Sequence, residues 1–501
     1  MTAVPRALLL TLLAFVGCQP GAAPAPLDPT KHAAPIEVTL LFTSDEHGWL
    51  LPRAEKGKIH GGAAEVLGLW VATEGHCPGP PSPPCPEPRT LALSAGDNYT
   101  GPAISTYFVG APMAEAMARM GYAASAFGNH ELDFGRERFL ENRARSGMIY
   151  LAANLRAPPE RKDMELSPYA IFDRRGLKIG VVGLSTESTL RAAMARRFEG
   201  ITFDAAEPAL DRAVRGAWSA GADAVVVMAH ECPDVLAPMV ERHPEWRLSF
   251  VGAGHCHRLD SRRVGGVPLI SPGWRFDHYV RVKLTADLTK PAGERVIAVA
   301  PEVVTMSRPE GARSSVQPDP VIVARGEAWR ARVDAALGEQ IGWSARGFDR
   351  DGPEMGRWIA GALRAETGAD VGIVNASGLR QNLPQGPITL AHVWSILPFD
   401  NRVMTVRLDG ASLLDNLRRR GAVIAGATRA DGGFVLTDGR KVAGPGPFTA
   451  TTLDFLFYGG DHFTFDQHAA VEGPDWREVV IAWTRRQRST QASPLEAHLP
   501  R

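Results

Sequence analysis

Five short motifs in the first half of the chain carry residue types that bind metal ions. They are Asp45-Glu46-His47, Gly96-Asp97-Asn98, Gly128-Asn129-His130-Glu131, His230-Glu231 and Gly254-His255-Cys256-His257. Imidazole nitrogens and carboxylate or amide oxygens suit Zn, Mn or Fe. Two such metals, held about 3.5–4 Å apart, clamp the attacking and leaving oxygens of a phosphoryl displacement. The set therefore favours a centre with two divalent metal ions.

Taken singly, each motif is weak evidence. An Asp-x-His pair is more often a capped turn, and Gly-Asp after a strand is most often only a turn. The motif Gly128-Asn129-His130-Glu131 is more specific, because it places two possible ligands and an acid in one tight turn. The pair His255-x-His257 is also more specific, since alternate residues can reach one site. The five motifs together indicate a metal site.

Four of the motifs follow a predicted strand. The predicted strands are residues 37–44, 90–94, 178–183, 223–228 and 248–251, and the apolar run 122–127 before Asn129 is a further candidate. Predicted helices at 63–73, 113–120 and 208–220 alternate with them. Ligands of open α/β sheets gather beyond the carboxyl ends of the strands. A layered α/β domain of this kind would therefore bring the motifs together.

The chain of 501 residues is long enough for two domains. Residues 36–308 are predicted to form the α/β domain, followed by a linker and connecting helix at 309–341, with helical periodicity at 321–337. A second mixed domain is expected at 342–484, and a loose tail at 485–501. The formal net charge of zero argues against binding of a nucleic-acid polymer.

The N-terminus is typical of an exported protein. Arg6 precedes an apolar run at 7–16, and Phe15-Val16-Gly17-Cys18 resembles a bacterial lipobox with Phe15 in place of the usual Leu. Residues 1–18 would be the signal, and the Pro/Ala-rich residues 19–35 a flexible tether. Lipidation of Cys18 would make a periplasmic or outer-surface lipoprotein anchored to a membrane. The alternative is plain cleavage, with a soluble product.

Four further cysteines are available for disulfides, which export permits. Cys77 and Cys85 bracket a Pro/Gly-rich loop, so a local disulfide is expected there. Cys232 and Cys256 each lie near a possible metal-binding histidine. They either pair with each other or remain small buried thiols.

The five motifs in this order resemble the signature of calcineurin-like metallophosphoesterases. Residues 127–135, Phe-Gly-Asn-His-Glu-Leu-Asp-Phe-Gly, are closer still to the 5′-nucleotidase branch, which includes bacterial periplasmic UDP-sugar hydrolases. The resemblance implies an α/β fold: an N-terminal αββα sandwich and a smaller C-terminal α/β nucleotide-binding domain, joined by a helix. It also implies that the second domain rotates, so that the hinge helps set turnover.

The same resemblance implies a role for each residue of the motifs. Asp45, His47 and His257 would hold one metal. Asn129, His230 and His255 would hold the other, and Asp97 would bridge the two. Where this chain has His257, some family members have Gln.

His130 and Asp133 match the catalytic dyad of the family. Their three-residue offset can bring the acid back to the ring, where it would favour the protonated form. Glu131 and Glu231 either orient ligands from behind or serve on the surface and at helix caps.

Three segments of the second half resemble the substrate-binding motifs of the family, although each alone reads as an ordinary loop. Residues 375–380 resemble Asn-x-Gly-Gly-Ile-Arg with Ser377 at a usual Gly, and residues 397–401 resemble Pro-Phe-Gly-Asn with Asp400 at a usual Gly. Phe455 and Asp461 keep the family spacing.

By that likeness, two aromatic rings would sandwich a nucleobase, and polar residues would bind the rest of a nucleotide. The rings are Phe399 and Phe455. Asp461 would hold the ribose hydroxyls. The contacts to base or phosphate would come from Asn375, Arg380 and Asn401, with Arg350 or Arg346 as a further phosphate ligand.

These features predict an exported 5′-nucleotidase that acts on nucleotides and has no predicted protein partner. UDP-sugar hydrolysis and 2′,3′-cyclic nucleotide phosphodiesterase activity are close alternatives. Hydrolysis of a sulfur ester, a non-catalytic nucleotide-binding lipoprotein and a secreted adhesin are further ones. The sequence leaves open the identity of the metals, the preferred base, the number of phosphates and the oligomeric state.

Overall fold

The computed structural model describes residues 34–83, 85–430, 432–465 and 468–500. The predicted signal at 1–18, the lipidation site Cys18 and most of the tether at 19–35 lie outside these residues. Among the residues described, no helix is both long and apolar enough to cross a membrane.

A six-stranded mixed sheet forms one layer of the N-terminal domain. Its spatial order is Val296–Thr305, His278–Ala286, Ile36–Thr43, Thr90–Ser94, Tyr122–Ala126 and Ile149–Leu151. The strand Ile36–Thr43 pairs parallel with Thr90–Ser94, which pairs parallel with Tyr122–Ala126. Their carboxyl ends therefore meet at one edge of the sheet.

A second six-stranded sheet forms the other layer. Its order is Leu259–Val264, Val267–Pro272, Phe250–Ala253, Ala224–His230, Leu177–Ser185 and Tyr169–Arg174. The strand Ala224–His230 is buried along its whole length and lies parallel to both neighbours. Such near-continuous apolar runs are typical of strands that are covered on both faces.

The two sheets pack face to face around an apolar core. Phe42 of the first sheet meets Phe250 of the second edge-on, with ring centroids 5.5 Å apart. Gly252 makes room for this contact, because a Cβ there would lie 2.3 Å from the ring of Phe42. Apolar clusters on the outer faces of both sheets are covered by helices. The predicted αββα sandwich is confirmed.

The predicted elements of this domain are all present, including the further strand at 122–127. The helices are Ala63–Glu74, Ala103–Thr106, Ala111–Met120, Arg136–Ser146, Thr189–Ala192, Ala206–Ser219 and Pro233–Arg242. Short 3-10 turns occur at Pro159–Met164, Ala195–Phe198 and Pro244–Trp246. A small three-stranded sheet consists of Arg53–Glu55, Lys58–His60 and Ser307–Pro309. A two-stranded ribbon pairs Leu155–Arg156 with Thr202–Phe203.

The connecting helix, Pro320–Leu337, packs on the N-terminal domain. Ile322, Val333 and Leu337 are buried in the same apolar cluster as the helices of the first sheet. Asp319 caps the helix by accepting a hydrogen bond from the Ile322 amide at 2.9 Å. It also pairs with Arg119 at 2.7 Å. The helix is therefore anchored to the first domain and leads into the second.

The C-terminal domain is built on a five-stranded sheet. Its order is Ala422–Ala425, Val371–Asn375, Phe448–Leu453, Arg402–Leu408 and Ala470–Asp475. The helices are Pro353–Thr367, Leu390–Ile396, Gly410–Leu417, Asp454–Phe457 and Trp476–Gln487. Two-stranded ribbons pair Gln340–Ser344 with Gly386–Thr389 and Ala427–Ala430 with Gly433–Leu436. One large apolar cluster, which includes Trp358 and Trp476, unites these elements.

The prediction of a loose tail after residue 484 is wrong. The last helix continues to Gln487, and Leu495 is fully buried in the core of the C-terminal domain. Glu496 accepts hydrogen bonds from the Ser344 hydroxyl and the Ala345 amide, both at 2.9 Å. The terminus is ordered because an apolar side chain and a carboxylate both find partners on the domain.

Candidate active site

The five motifs meet at one edge of the sandwich. Asp45, His47, Asp97, Asn129 and His130 follow three parallel strands of the first sheet. His230 ends its strand in the second sheet, and the loop with His255 and His257 follows the neighbouring strand. Because the two sheets stack, both sets of strand ends face one space.

One group of donor atoms matches the first predicted ligand set. Nε2 of His47 lies 2.9 Å from Nε2 of His257. Nε2 of His257 in turn lies 3.4 Å from Oδ1 of Asp45. Oδ2 of Asp97 is 3.8 Å from Nε2 of His47. Donor atoms of these four residues all lie within 4.8 Å of one another.

A second group shares Asp97 with the first. Nε2 of His230 lies 3.2 Å from Oδ2 of Asp97 and 3.0 Å from Oδ1 of Asn129. The ring of His255 lies against that of His230, with centroids 5.1 Å apart. Asp97 therefore lies between the two groups, where a bridging ligand is expected.

Hydrogen bonds behind two of the rings orient their free nitrogens toward the cluster. Nδ1 of His47 is 3.0 Å from the Thr100 carbonyl, and Nδ1 of His230 is 2.9 Å from the Ala95 carbonyl. A carbonyl only accepts, so each Nδ1 carries a proton and each Nε2 faces the cluster, where it offers a lone pair when the ring is neutral. Converging lone pairs and carboxylates without hydrogens between them fit a divalent metal ion.

The charge of the cluster agrees with this fit. Burial disfavours a charged ring at His230, but the carboxylates of Asp97 and Asp45 outweigh that effect and raise its pKa to about 10. Burial and the neighbouring Arg380 hold the pKa of His47 well below its ordinary value. The buried carboxylates thus attract a cation, while several rings resist protonation.

Backbone strain is concentrated at the predicted ligands. Five of the seven have a positive φ: Asp45 (52°), His47 (45°), Asp97 (60°), His255 (70°) and His257 (53°). This conformation costs non-glycine residues roughly 1–2 kcal/mol each. Such residues persist where the surroundings impose the conformation, and they are enriched at functional sites.

Glu131 supports the loop that carries Asp97. Its carboxylate accepts hydrogen bonds from the amides of Asp97 at 3.2 Å and Asn98 at 3.1 Å. Gly128 is required beside it, because a Cβ there would lie 2.2 Å from Oδ1 of Asp97. Glu131 is therefore buried and supports this loop through backbone amides, rather than lying on the surface or at a helix cap. Glu231 instead accepts from the Cys232 amide at 2.8 Å.

His130 and Asp133 form the expected pair. Nδ1 of His130 donates to Oδ2 of Asp133 at 2.8 Å, and the His130 amide donates to Oδ1 of Asp97 at 2.8 Å. Burial lowers the pKa of His130, but Asp133 and Asp97 outweigh it, so the pKa lies above its ordinary value. The ring therefore has a proton on Nε2 to donate.

A cavity of about 360 Å³ extends from the metal-ligand cluster into the C-terminal domain. All seven predicted substrate-binding residues line it: Arg350, Asn375, Arg380, Phe399, Asn401, Phe455 and Asp461. Arg346 does not, because its side chain is paired with Glu354 at 2.9 Å. Of the two candidate arginines, Arg350 is therefore the one that lines the cavity.

Arg380 joins the C-terminal domain to the ligand cluster. Its Nη2 lies 2.9 Å from Nε2 of His47, and its carbonyl accepts from Nη2 of Arg275 at 2.6 Å. Burial lowers the pKa of Arg380 to about 10, so the guanidinium remains charged at neutral pH. A buried cation at the ligand cluster is suited to bind an anion.

Both predicted aromatic residues line the cavity. Phe399 stacks on His130, with centroids 5.2 Å apart and an interplanar angle of 25°. Phe455 packs on Gly460, where a Cβ would lie 2.4 Å from the ring. Another part of the Phe455 ring lines the cavity.

The two departures from the family motifs have partners in the structure. The Ser377 hydroxyl donates to Oδ2 of Asp461 at 2.7 Å, and Nδ2 of Asn375 donates to the same oxygen at 2.8 Å. Asp400 pairs with Arg477 and, at 3.6 Å, with Arg197 of the N-terminal domain. Ser377 therefore helps to position Asp461.

Sequence reasoning missed three residues of the site. Trp274 stacks on His257, with centroids 4.4 Å apart and an interplanar angle of 14°. It follows the strand Val267–Pro272, but a search for metal-binding residue types after strands does not mark a tryptophan. Met194 and Arg197 line the cavity from a loop and a 3-10 turn, and no sequence pattern marks them.

Both cysteine pairs form disulfides. Cys77 bonds to Cys85, with Cα atoms 5.9 Å apart, which confirms the expected local link. Cys232 bonds to Cys256, with Cα atoms 5.3 Å apart, so the first of the two alternatives for that pair is correct.

Comparisons with known proteins agree with this architecture. The family model for the 5′-nucleotidase C-terminal domain matches residues 339–469. A 5′-nucleotidase of Vibrio cholerae is 25% identical over 455 residues, which cover 81% of this chain and 79% of that protein. The Bacillus subtilis endonuclease YhcR is 22% identical over 413 residues, or 74% of this chain, but this match spans only 33% of YhcR.

Solved structures share the fold over nearly the whole chain. A 5′-nucleotidase precursor from Thermus thermophilus superposes with a TM-score of 0.77 at 21% identity, covering 91% of this chain and 97% of that one. The sulfate thiohydrolase SoxB from the same organism gives 0.70 at 18% identity, covering 90% and 94%. The fold and the site together define a two-domain calcineurin-like phosphoesterase. Within that class, residues 339–469 match the 5′-nucleotidase C-terminal domain family, and the chain as a whole is similar to 5′-nucleotidases.

Proposed function

We propose that this protein is an exported 5′-nucleotidase, which uses two divalent metal ions to release phosphate from nucleoside monophosphates. One observation carries the proposal. A single cavity connects a cluster of metal-type ligands to a pocket lined by Phe399 and Phe455. The ligand cluster suits a phosphate and the aromatic rings suit a base, which are two parts of one nucleotide.

The ligand cluster would hold the two metal ions. Asp45, His47 and His257 would bind one, Asn129, His230 and His255 the other, and Asp97 both. When bound, the ions supply Lewis-acid chemistry and lower the pKa of water. Zn, Mn and Fe all suit this mixture of nitrogen and oxygen ligands.

His130 and Asp133 would act on the leaving group or the phosphoryl oxygens. Asp133 fixes the ring through Nδ1, so that Nε2 carries the transferable proton. The charge of Arg380, together with that of Arg350, would draw the phosphate toward the cluster. General acid catalysis of this kind contributes about 10²–10⁴-fold.

The C-terminal domain would hold the nucleoside. Phe399 and Phe455 offer flat apolar surfaces to a base. Asp461 would accept hydrogen bonds from the ribose hydroxyls, and Asn375 and Asn401 would contact the base or phosphate. The Ser377–Asp461 bond supports this use of the carboxylate, since it fixes the orientation of the carboxylate through one oxygen.

We further propose that the mature protein is a periplasmic or outer-surface lipoprotein, anchored through Cys18. Its two disulfides support an oxidising compartment. Mass spectrometry of the N-terminal peptide from the native host tests this: an acylated Cys18 supports the anchor, and an unmodified mature terminus rejects it.

The test of function is phosphate release by the metal-loaded protein from AMP, ATP, UDP-glucose and a 2′,3′-cyclic nucleotide, beside His130→Ala. We expect AMP among the best substrates and a fall of about 10²–10⁴-fold in the variant, with metal content unchanged. Preference for UDP-glucose or the cyclic nucleotide would select that alternative. No release from any substrate, with both metals bound, would reject the proposal and redirect the search to sulfur esters.

A further inference from the structure

The disulfide Cys232–Cys256 joins the two loops that supply the ligands of the second sheet. Cys232 follows His230 by two residues, and Cys256 lies between His255 and His257. The strands that precede the loops are parallel neighbours, with Ala229 opposite Ala253. The cross-link therefore lies just beyond the end of this strand pair, beside the ligand cluster.

The loop that carries Cys256 has an unfavourable backbone conformation. His255 and His257 both have positive φ values, of 70° and 53°. Residues held in this way depend on surrounding constraints. Without them, the loop would sample other conformations and the two imidazoles would not stay aimed at one point.

The non-covalent constraints on this loop come partly from its flanks, where the Gly254 amide donates to the Ala229 carbonyl at 2.9 Å and Arg258 pairs with Asp234 at 2.8 Å, and partly from the cluster itself. The His255 amide donates to both carboxylate oxygens of Asp45 at 3.1 Å, and Nε2 of His257 lies 3.4 Å from the same carboxylate. Asp45 is itself a predicted ligand. Trp274 adds a stacking contact to His257. Among the described residues, Cys256 provides the one covalent link from this loop to the loop of His230.

We propose that the Cys232–Cys256 disulfide positions His255 and His257 relative to His230, and that the metal affinity of the protein depends on it. The cross-link restricts the separation of the two loops before any metal arrives, so less ordering remains to be done on binding. Groups that orient metal ligands from behind typically contribute about 10- to 100-fold to metal affinity. This inference rests on the proposed metal site.

The second disulfide of the protein provides a matched control. Cys77–Cys85 lies in a different loop, and neither cysteine adjoins a predicted ligand in sequence. Its removal would affect stability but not the position of the histidines. Both pairs are replaced by alanine, because a free thiol or hydroxyl beside the cluster would offer a new ligand.

The experiment measures metal affinity directly. Metal-free wild type, Cys232→Ala/Cys256→Ala and Cys77→Ala/Cys85→Ala are titrated with Zn²⁺ and with Mn²⁺ by calorimetry, and melting temperatures of the metal-free forms are recorded. We expect affinity to fall about 10- to 100-fold in the first variant and to stay within twofold of wild type in the second. Equal affinities in all three proteins would overturn the inference.

A second measurement covers the case in which the first variant does not fold. In the Cys77→Ala/Cys85→Ala background, a dithiol reductant donates two electrons and two protons to the remaining disulfide. The two thiols formed are capped with iodoacetamide, and the metal titration is repeated on the folded protein. Unchanged affinity would again overturn the inference. If wild type itself binds neither metal, the proposed metal site fails, which is a separate outcome.

Discussion

The metal-ligand cluster and the proposed nucleotide pocket line one cavity but are built differently. The cluster lies on the ends of strands from two packed sheets, and five of its seven residues have a positive φ. The pocket is built from a 3-10 turn, a four-residue helix and loops. A rigid frame therefore holds the chemistry, while segments that tolerate substitution hold the substrate.

The motif departures follow this division. The ligand positions match the family pattern, apart from His257 at a position that varies in the family. Ser377 and Asp400, by contrast, both lie in the pocket and both have acquired new partners.

The largest effect is expected at the centre of the cluster. Asp97→Ala removes the carboxylate shared by both ligand groups and leaves the surrounding groups without it. Breaking a buried charge pair costs about 3–5 kcal/mol, which corresponds to roughly 150- to 5,000-fold. The metal content measured by elemental analysis and the rate of phosphate release should both fall. Asp163→Ala, at a solvent-exposed ion pair, is the control. If the Asp97→Ala variant kept its full metal content, Asp97 would not be the bridging ligand.

The next effect tests the pair beside the cluster. Asp133→Asn removes the charge that favours protonated His130, so kcat should fall by about 100-fold, the lower end for general acid catalysis. The protonated ring is present below its raised pKa and is lost as pH rises through it. Without the Asp133 charge, the pKa of His130 is lower. The fall of activity on the alkaline side of the pH profile should therefore move to lower pH. An unmoved profile with normal metal content would contradict this role.

In the proposed nucleotide pocket, Phe455→Ala should lower kcat/KM for nucleotides only. Stacking of a base on an aromatic ring contributes about 1–3 kcal/mol, or roughly 5- to 150-fold in kcat/KM. The loss should appear with AMP and be absent with p-nitrophenyl phosphate, which has no base. Tyr458→Ala alters an exposed neighbour and should change neither. An equal loss on both substrates would place Phe455 outside base recognition.

The smallest effect is expected where the two domains meet at the rim. Arg196 pairs with Asp454 at 2.9 Å, and the arginine is 47% exposed while the aspartate is buried. The arginine is half exposed, and burial raises the pKa of Asp454, so that carboxyl can become neutral when the arginine is lost. Arg196→Ala should therefore change kcat/KM by less than about fivefold, as for an exposed ion pair. Arg138→Ala, within one surface helix, is the control. A loss as large as that of Phe455→Ala would show that the rim contact controls the pocket.

The strands and the ligand motifs were predictable because both depend on local pattern. Val- and Leu-rich runs predicted the buried strands, and a polar residue directly after such a run lies at the sheet edge whatever the loops do. The same reasoning does not find Trp274, because a tryptophan after the strand Val267–Pro272 is not a metal-binding residue type. Arg197 could not be found in this way, since its place in the cavity depends on how a 3-10 turn of one domain meets the other.

The tail and the cysteines show the same limit. Leu495 and Glu496 stand in a polar stretch that reads as loose, yet the C-terminal core has a place for both. The pairing of Cys232 with Cys256 was one of two alternatives, because only the packing of neighbouring strands brings their loops together.

The sequence by itself determined which atoms are available for the reaction and on which elements they lie. It also determined that Asp133 can reach His130, because three residues of one turn span that distance. Only the tertiary structure decided that two sheets bring their motifs to one cluster, that Arg350 rather than Arg346 faces the cavity, and that Arg380 crosses from the second domain to His47. The physical reason is that hydrogen bonding and side-chain periodicity act over a few residues, whereas these contacts arise from burial of apolar faces far apart in the chain.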